Sequence, residues 1–517
     1  MRVRSLACFS LLTLLASAST LWAQPNRLAQ PPQDEEPART RQGPPLYVAA
    51  GPAGLLEAAS PLLEHRAREG MRVLRITTQG PTSLATIRRA LKANPADYLL
   101  LLGDVDTLPH SVVRKCATDR VYGDLDDDGY PELAIGRIPS NDPRVIQSVA
   151  ERTIRYERER EAGLWQKQCA LLANEGRFSP EIDAVIERVF ARVVKQVLPT
   201  GYDVDLTYAN PRSTYCYPPR RFGARVLERL NEGALVFAYI GHGSKRSLDT
   251  LRIGEQQYPV LSVQDATRLD LSRRSPIMVA IACWTGNYDG KRQSLGEELI
   301  ASPRGPVAFF GASRISHPVH NALLAKELVC EFFAGEEVPR LGPALDRARR
   351  ALAEGRPDDK IRAQIITMAN LFVGAKVVAE EMPRHVDMYN LFGDPALRLA
   401  RPAGRIALET TPLRRGQTLV VEGRADPAAA MSLRVTLETD REAMAIPRAR
   451  EGESRLERYA RANDKVVRAV LASTKPDGTF RVELAVPADL PAGPYLVKAF
   501  ANRGARSAVG GVVRELD

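Results

Sequence analysis

The sequence predicts an α/β protein with mainly parallel sheets in two halves, followed by a small immunoglobulin-like β-sandwich. Between residues 46 and 401, short apolar runs alternate with helical patterns, which is typical of βαβ units. Several of these runs are continuous and bounded by Gly, Pro or charge, as in strands that are covered on both faces. After Arg401 the helical periodicity largely disappears and short alternating segments follow, which favours a sandwich.

The predicted elements follow the chain in order. The first half, residues 46–160, has strands at 46–50, 71–77 and 97–103 and helices at 55–69, 83–93 and 142–160. The second half, residues 161–401, has strands at 168–173, 235–240, 276–282 and 306–311 and helices at 179–197 and from 319 and 341. The sandwich, residues 402–517, has strands at 405–409, 418–422, 433–437, 480–484 and 495–499.

The amino terminus has the pattern of an exported protein. Residues 1–23 combine a basic start at Arg2 and Arg4, an apolar run and a small residue where cleavage would fall, so we predict a signal peptide. Residues 24–45 are rich in Pro and predict a disordered linker. No later segment approaches the roughly 20 apolar residues of a membrane span. We therefore expect a secreted, periplasmic or cell-surface protein without integral membrane association after signal removal.

The distribution of charge and the number of cysteines argue against nucleic-acid binding and for a free thiol. The net charge of +10 comes mainly from scattered Arg, without a dense basic tract interleaved with aromatics, so nucleic-acid binding is not expected. Signal cleavage would remove Cys8 and leave an odd number of cysteines, which predicts at least one free thiol. Cys283 is our candidate, and the pairing of the other four stays open.

Two chemically capable residues come directly after predicted buried strands. His242 follows the strand at 235–240, and Cys283 follows the strand at 276–282. Ligands and chemistry lie at the carboxyl ends of strands in such sheets, so the two side chains can meet there. An imidazole beside a thiol generates the reactive thiolate, and the backbone amides of Gly243 and Cys283 are placed to form an oxyanion hole. The alternative is a buried cysteine with a core histidine.

Four sequence blocks carry a family resemblance. They are Tyr239–Ser244, Ala282–Asn287, Tyr389–Leu399 and, less closely, the stretch 119–137. In this order they resemble the signature blocks of gingipain-type cysteine peptidases of clan CD, over about residues 46–401. The resemblance implies a caspase-like fold, with Cys283 as nucleophile, His242 as general acid and base, and the Gly243 and Cys283 amides as oxyanion donors.

The resemblance also implies two acidic site residues. Glu175, at the end of the strand at 168–173, corresponds to the acid that orients the catalytic His, the role of the third member of a catalytic triad. Asp183 falls near the acid of a specificity pocket for a basic side chain, which implies cleavage after Arg or Lys. The alternatives are a surface Glu beginning a loop and a solvated carboxylate on a helix.

A run of acidic residues predicts a calcium site. Asp124, Asp126, Asp128 and Glu132 provide oxygens around a Gly at a sharp turn, the first half of a calcium loop. The bidentate Glu at the twelfth position is missing, because Ile135 stands there. We prefer a modified calcium loop, which the resemblance also implies, over an acidic turn. No organic cofactor is expected, and the two histidines at 317 and 320 lack the further ligands that zinc requires.

Together these features predict a secreted cysteine endopeptidase that acts on protein or peptide substrates through a thioester intermediate. One alternative is an inactive caspase-like scaffold or binding module whose sandwich does the work, although a scaffold has no need of both His242 and Cys283. A second is a peptide ligase or sorting peptidase, which uses the same thioester with a different acceptor. The natural substrate and the oligomeric state do not follow from the sequence.

Overall fold

The computed structural model describes residues 43–158, 162–175, 197–272, 274–333, 335, 337–440 and 450–517. The predicted signal peptide, residues 24–42 of the predicted linker and Asp183, with nearly all of its predicted helix, lie outside the described residues. Within the described ranges, no helix is both long and apolar enough to cross a membrane.

A ten-stranded sheet forms the centre of the molecule, with two small hairpins beside it. In chain order the strands are Leu46–Gly51 (β1), Arg72–Thr77 (β2), Tyr98–Leu102 (β3), Ser111–Val113 (β4), Cys116–Thr118 (β5), Ala134–Ile138 (β6), Gln168–Asn174 (β7), Asp203–Ala209 (β8), Val236–Ile240 (β9), Thr250–Ile253 (β10), Gln256–Pro259 (β11), Ile277–Ile281 (β12), Ala308–Ala312 (β13) and Tyr389–Phe392 (β14). Strands β4 and β5 form one hairpin, and β10 and β11 form the other.

The strand order of the large sheet is β2-β1-β3-β6-β14-β13-β12-β9-β7-β8. Along this order, the first five strands, from β2 to β14, pair in parallel with their neighbours. The last five, from β13 to β8, also pair in parallel with one another. The two parallel blocks meet where β13 and β14 pair antiparallel. The predicted mainly parallel α/β architecture is therefore confirmed, and its two halves are joined in one continuous sheet.

Helices cover the two faces of this sheet. Their bounds are Ala53–Ala58 (α1), Ser60–Arg68 (α2), Ser83–Ala93 (α3), Pro143–Arg158 (α4), Phe222–Asn231 (α5), Leu295–Ala301 (α6), Pro318–Phe333 (α7), Leu341–Glu354 (α8), Lys360–Ala369 (α9) and Ala375–Met388 (α10). The single helix predicted at 55–69 is wrong, because the chain forms α1 and α2 with a break at Ala59. Pro61 has no N–H to donate to the previous turn and instead occupies the first turn of α2.

A buried ion pair holds the sequence block at 389–399 against the first half. Arg66 on α2 is fully buried, and its Nε lies 2.9 Å from Asp394 Oδ2. Asp394 Oδ1 accepts hydrogen bonds from Tyr47 Oη at 3.0 Å and from the Ala396 N–H at 2.9 Å. Every oxygen of this buried carboxylate is thus satisfied, as burial requires. Asp394 is a structural residue of the turn after β14.

The last part of the chain forms a seven-stranded all-β sheet around its own apolar core. Its strands are Gly404–Thr410 (β15), Thr418–Asp426 (β16), Ser432–Thr439 (β17), Val466–Ser473 (β18), Thr479–Ala485 (β19), Gly493–Arg503 (β20) and Arg506–Leu516 (β21), with one helix at Arg455–Asn463 (α11). The strand order is β18-β17-β20-β21-β15-β16-β19, and β18 and β19 at its two ends contact each other. The predicted all-β unit is confirmed, and β18 and β21 are additional to the predicted strands.

Buried charges join this all-β unit to the outer strand of the large sheet. Lys498 on β20 lies 2.8 Å from Asp203 on β8 and 2.7 Å from Glu438 on β17, and Lys167 lies 2.7 Å from Asp203. Burial alone would raise the pKa of Asp203, but the two ammonium groups lower it to about 2. Lys498, Glu438 and Lys167 are buried and Asp203 is half-buried, and a buried charge left without its partner is strongly destabilising, so the network fixes the two units together.

Candidate active site

The loops that carry His242 and Cys283 leave the sheet side by side. Strands β9 and β12 are parallel neighbours, with Ile240 opposite Ile281. His242 stands two residues beyond the end of β9, and Cys283 stands two residues beyond the end of β12. Both residues are partly exposed and therefore within reach of a substrate. The structure brings the two predicted residues to the same edge of the sheet, at the carboxyl ends of their strands.

Glu175 is placed at the same edge by the next strand. Strand β7 is parallel to β9 on the side away from β12, with Ala173 opposite Ile240. Glu175 directly follows β7, and its N–H donates to Asn174 Oδ1 at 2.8 Å. The order of the three strands puts the His242 loop between the Glu175 loop and the Cys283 loop, which is the order that an acid, an imidazole and a thiol need in a triad.

The two glycines around His242 let the backbones of the loops approach closely. A Cβ on Gly241 would lie 2.7 Å from Tyr239 Oη, and a Cβ on Gly243 would lie 2.7 Å from the Cys283 carbonyl oxygen. Tyr239 is fully buried and donates to the His242 carbonyl at 2.6 Å, which fixes the loop. Among the described residues, neither the N–H of Gly243 nor that of Cys283 donates a hydrogen bond. These two amides are available to a substrate oxygen.

The thiol of Cys283 has a hydrogen-bond donor that the sequence reasoning missed. The backbone N–H of Ser316 lies 3.3 Å from Cys283 Sγ, and the Ser316 carbonyl lies 3.6 Å from it. Ser316 comes shortly after the end of β13, the neighbour of β12 on its other side. The signal was present in the sequence, because the strand predicted at 306–311 also delivers its carboxyl end to this edge.

A sharp turn follows the cysteine. Trp284 has a φ of 63°, a left-handed conformation that is uncommon for a bulky residue and typical of functional sites. Its ring lies 4.9 Å from Lys245 Nζ and 5.6 Å from the guanidinium carbon of Arg314, distances at which a cation interacts with an aromatic face. The Arg314 guanidinium is also paired with Asp289 at 2.7 and 2.5 Å. Trp284 therefore joins the Cys283 loop to the loop after His242.

The amino terminus of α6 braces both loops. The N–H of Leu295 donates to the Lys245 carbonyl at 2.7 Å, and the N–H of Gly296 donates to the Thr285 carbonyl at 2.9 Å. Ser294 caps the helix in a capping box with Glu297, whose carboxylate accepts from both the N–H and the hydroxyl of Ser294 at 2.7 Å. These bonds use donors that a helix end would otherwise leave unpaired.

Glu297 makes the stability of this brace dependent on pH. Its burial raises its pKa from 4.5 to about 7, so folding favours the protonated form and the free energy of unfolding falls as the pH rises from 4.5 through 7. Glu297→Gln keeps the capping box but does not titrate. Its free energy of unfolding should therefore decrease by roughly 3 kcal/mol less than that of the wild type over this pH range. Denaturant unfolding between pH 4 and 8, with the neighbouring Glu298→Gln as control, measures the difference. Equal pH slopes in both variants would contradict the expectation.

The predicted acidic loop does form a cluster suited to a cation. Asp124, Asp126, Asp128 and Glu132 each offer a carboxylate oxygen, and these oxygens lie within 4.8 Å of one another. Asp124 Oδ1 is buried and has no hydrogen-bond partner among the described residues, so an acceptor is left for an ion. Burial, with nearby acids adding to it, raises the pKa of Asp124. The residues present therefore fit a metal ion bound through oxygen atoms.

Histidines and cysteines away from this cluster were also candidates for metal binding or pairing. Among the described residues, His317 and His320 do not belong to any group of metal-ligand atoms. A group formed by His65, Glu69 and Glu157 has close ligand atoms, but the guanidinium of Arg66 pairs with both of its acids. The five described cysteines are all free thiols, so the pairing that the sequence left open does not occur among them.

Comparison with known structures supports the fold. The fold is similar to the crystal structure of the Arg specific cysteine proteinase gingipain R, with a TM-score of 0.54 and 18% sequence identity. The alignment covers 93% of this chain and 100% of that one. The two proteins thus share the caspase-like α/β sheet and the all-β unit that follows it.

The family follows from the sequence. Residues 40–400 match the profile of peptidase family C25, and the chain belongs to this family of cysteine endopeptidases. Gingipain R2 of Porphyromonas gingivalis is 24% identical over 313 residues, covering 59% of this chain and 38% of the relative. Lys-gingipain of the same organism is 22% identical over 290 residues, covering 53% of this chain and 16% of the relative. The match therefore spans less than half the length of either relative.

Proposed function

We propose that this protein is a cysteine endopeptidase that uses Cys283 as nucleophile and His242 as general acid and base, with Glu175 orienting the imidazole. The observation that carries the proposal is the convergence of three loops at the carboxyl ends of β7, β9 and β12, each bearing one of these residues. The partial exposure of all three residues leaves them open to substrate.

The reaction proceeds in two stages. Cys283 Sγ, as the thiolate, attacks the peptide carbonyl carbon, and the oxyanion is held by the N–H groups of Gly243 and Cys283. Protonated His242 gives its proton to the departing amine, which leaves a thioester on Cys283. His242 then removes a proton from water, hydroxide attacks the thioester, and the acid product leaves as the thiolate reforms. A carboxylate at Glu175 stabilises the imidazolium in both stages.

We assign the choice of bond to Asp183. The relatives include proteins named Arg specific cysteine proteinase and Lys-gingipain, and both names refer to basic residues. A recessed carboxylate pairs with a guanidinium or ammonium group. We therefore infer that the enzyme cleaves protein or peptide substrates after Arg or Lys.

A peptide library tests this proposal directly. The protein is incubated with peptides that carry each residue type at the cleaved position, with and without calcium, and the products are identified by mass spectrometry. We expect cleavage after Arg and Lys in the wild type, little cleavage in His242→Ala, and loss of the basic preference in Asp183→Asn, with Glu181→Gln as control. Lack of both cleavage and labelling by a thiol-directed covalent probe would overturn the enzyme proposal, and equal cleavage after all residue types would overturn the role of Asp183. Joined rather than cleaved peptides would indicate a ligase.

We further propose that the acidic cluster binds structural calcium. Calcium prefers carboxylate and carbonyl oxygens, and Asp124, Asp126, Asp128 and Glu132 supply the carboxylates. Asp127 within the same loop is turned away, since its Oδ1 lies 2.7 Å from Arg88. The ion would hold the loop before β6 in one conformation and reduce the electrostatic repulsion among its carboxylates.

Calcium is expected to stabilise the protein against unfolding. At a calcium concentration 100 times the dissociation constant, binding to the folded state alone adds about 2.7 kcal/mol to the free energy of unfolding. Differential scanning calorimetry should show a rise in Tm with calcium in the wild type and in Asp127→Asn, whereas Asp126→Asn with Asp128→Asn should show none. A calcium-dependent rise of equal size in that double variant would contradict the site.

We propose export of the chain by the signal peptide at residues 1–23, which would place the enzyme outside the cytoplasm. The domain bounds 46–160, 161–401 and 402–517 are part of the same proposal. Sequencing the amino terminus of the exported protein tests the first point, and a terminus at residue 1 would contradict it.

A further inference from the structure

The peptide N–H that contacts the thiol of Cys283 belongs to a short loop between β13 and α7. Ser316 and His317 form the end of this loop, directly before Pro318 begins the helix. The Ser316 N–H lies 3.3 Å from Cys283 Sγ. A hydrogen bond from a neutral donor to an ionised acceptor is stronger than one to the neutral acceptor. This N–H therefore favours the thiolate, provided that the loop is held in place.

The first tether of the loop is a buried chain of side chains. Asn321 Nδ2 donates to Ser316 Oγ at 2.8 Å, and Asn321 Oδ1 accepts from Tyr389 Oη at 2.7 Å. Tyr389 is fully buried, and Ser316 and Asn321 are less than 10% exposed. Tyr389 opens the sequence block at 389–399, so two hydrogen bonds connect that block to Ser316, and the Ser316 N–H completes the connection to the thiol.

The second tether is His385 on α10. Its Nε2 lies 2.6 Å from the N–H of His317, and its Nδ1 lies 2.8 Å from the carbonyl oxygen of Glu381. Since the His317 N–H can only donate, Nε2 accepts, and the ring proton must be on Nδ1, which donates to Glu381. One tautomer of a fully buried neutral imidazole thus holds the peptide next to Ser316.

The surroundings of His385 keep it in this form. Burial lowers its pKa to about 3, and the ring of His320, stacked at a centroid distance of 4.6 Å, adds to the effect. Nε2 therefore remains an acceptor across the neutral range. The loop thus has two fixed points, the Ser316 hydroxyl and the His317 N–H, and both directly follow the peptide whose N–H contacts the thiol.

We propose that Asn321, Tyr389 and His385 are positioning residues that hold the Ser316 N–H against Cys283 Sγ, where it stabilises the negative charge of the attacking sulfur. The proposal rests on the proposed thiol chemistry of Cys283 and adds a set of residues from α7, β14 and α10 to it. All three side chains are buried, so their effect on the thiol passes through the Ser316 loop.

The test measures the thiolate directly and apart from peptidase activity. The rate of alkylation of Cys283 by iodoacetamide is followed from pH 4 to 10 by mass spectrometry of the Cys283 peptide. We expect Asn321→Leu and His385→Leu to move the pH of half-maximal rate upward by about one unit. His385→Gln should retain the wild-type profile, because a Gln oxygen can accept from the His317 N–H. Tyr389→Phe should show a smaller upward shift.

Controls separate positioning from general destabilisation. Leu328→Ala on the same helix removes a buried side chain eleven residues after His317 and should lower Tm without moving the alkylation profile. If the Leu variants fail to fold, Asn321→Asp, which removes the donor to Ser316, and Tyr389→Phe carry the test. An unchanged profile in the folded variants would overturn the proposal. In parallel peptidase assays, kcat of these variants should fall while KM changes little. If the alkylation profile shifts in the variants but the wild type has no peptidase activity, the proposed function is overturned and the positioning role is supported.

Discussion

Cys283→Ala is expected to lower kcat/KM for peptide hydrolysis by at least about 10⁴-fold, with Tm close to the wild-type value. The reaction has no covalent route without the thiol, and the amides of Gly243 and residue 283 alone stabilise only the oxyanion. The side chain is partly exposed at the end of β12, so its removal leaves no large buried cavity. Steady-state kinetics on an Arg or Lys peptide, with calorimetry on the same samples, measures both quantities.

Cys330→Ala is the matched control. Cys330 is the other partly exposed free thiol among the described residues, on α7, and burial raises its pKa to about 11, so it is a poor nucleophile. Its replacement should leave kcat/KM within about twofold of the wild type. Hydrolysis that survives in Cys283→Ala, or that is lost equally in Cys330→Ala, would assign the chemistry to another group.

Gly243→Ala is expected to produce the second largest loss, about 10²- to 10³-fold in kcat. The added Cβ would lie 2.7 Å from the carbonyl oxygen of Cys283, a backbone atom that cannot move without displacing the nucleophile. The same change shifts the Gly243 N–H away from the position of the oxyanion. Because the effect acts on the transition state, KM should change little.

Gly54→Ala provides the comparison for this substitution. A Cβ there meets no atom within 4 Å, and the residue lies within α1, so the change should leave kcat unaltered. Single-turnover kinetics would show whether formation of the thioester is the step that slows. A Gly243→Ala enzyme with wild-type kcat would contradict the close approach of the two loops as a requirement for catalysis.

The sheet and the two central residues of the site could be predicted from the sequence for the same reason, the continuous apolar runs that form the buried strands. Strands such as β3, β9 and β12 are continuous apolar runs, because a strand that is covered on both faces directs the side chains of both faces into the core. His242 and Cys283 follow two of these runs at the same offset, and β9 and β12 are neighbours, so their proximity follows from the parallel direction of the strands.

Other elements depend on contacts that the sequence does not display. Strand β21 contains Gly510 and Gly511, which ordinarily count against a strand. A Cβ on Gly511 would lie 2.7 Å from the N of Gly201, so the glycines are there because the chain before β8 passes close by. Likewise, β8 is half-buried and polar because charged residues such as Lys498 cover it. Tertiary packing overrode the local pattern in both strands.

The site shows the same division. Ser316 contributes a backbone N–H, which leaves no mark on residue type, so the sequence indicates only the strand end that delivers its loop to the site. The tether residues Asn321 and His385 lie far apart in sequence from Cys283 and join it only through the packing of α7 and α10 on the sheet. The assignment of Asp183 stays a prediction, since that residue lies outside the described part of the chain.

The most direct test of the central claim is to capture the covalent intermediate. The enzyme is mixed with an Arg or Lys ester substrate that accumulates the intermediate, quenched in acid during turnover, digested and analysed by mass spectrometry. We expect the acyl half of the substrate on the peptide that contains Cys283, bound through sulfur and released by hydroxylamine, and we expect no adduct in Cys283→Ala. An adduct on any other residue, or full turnover without an adduct under conditions that trap one on a known thiol peptidase, would contradict the account.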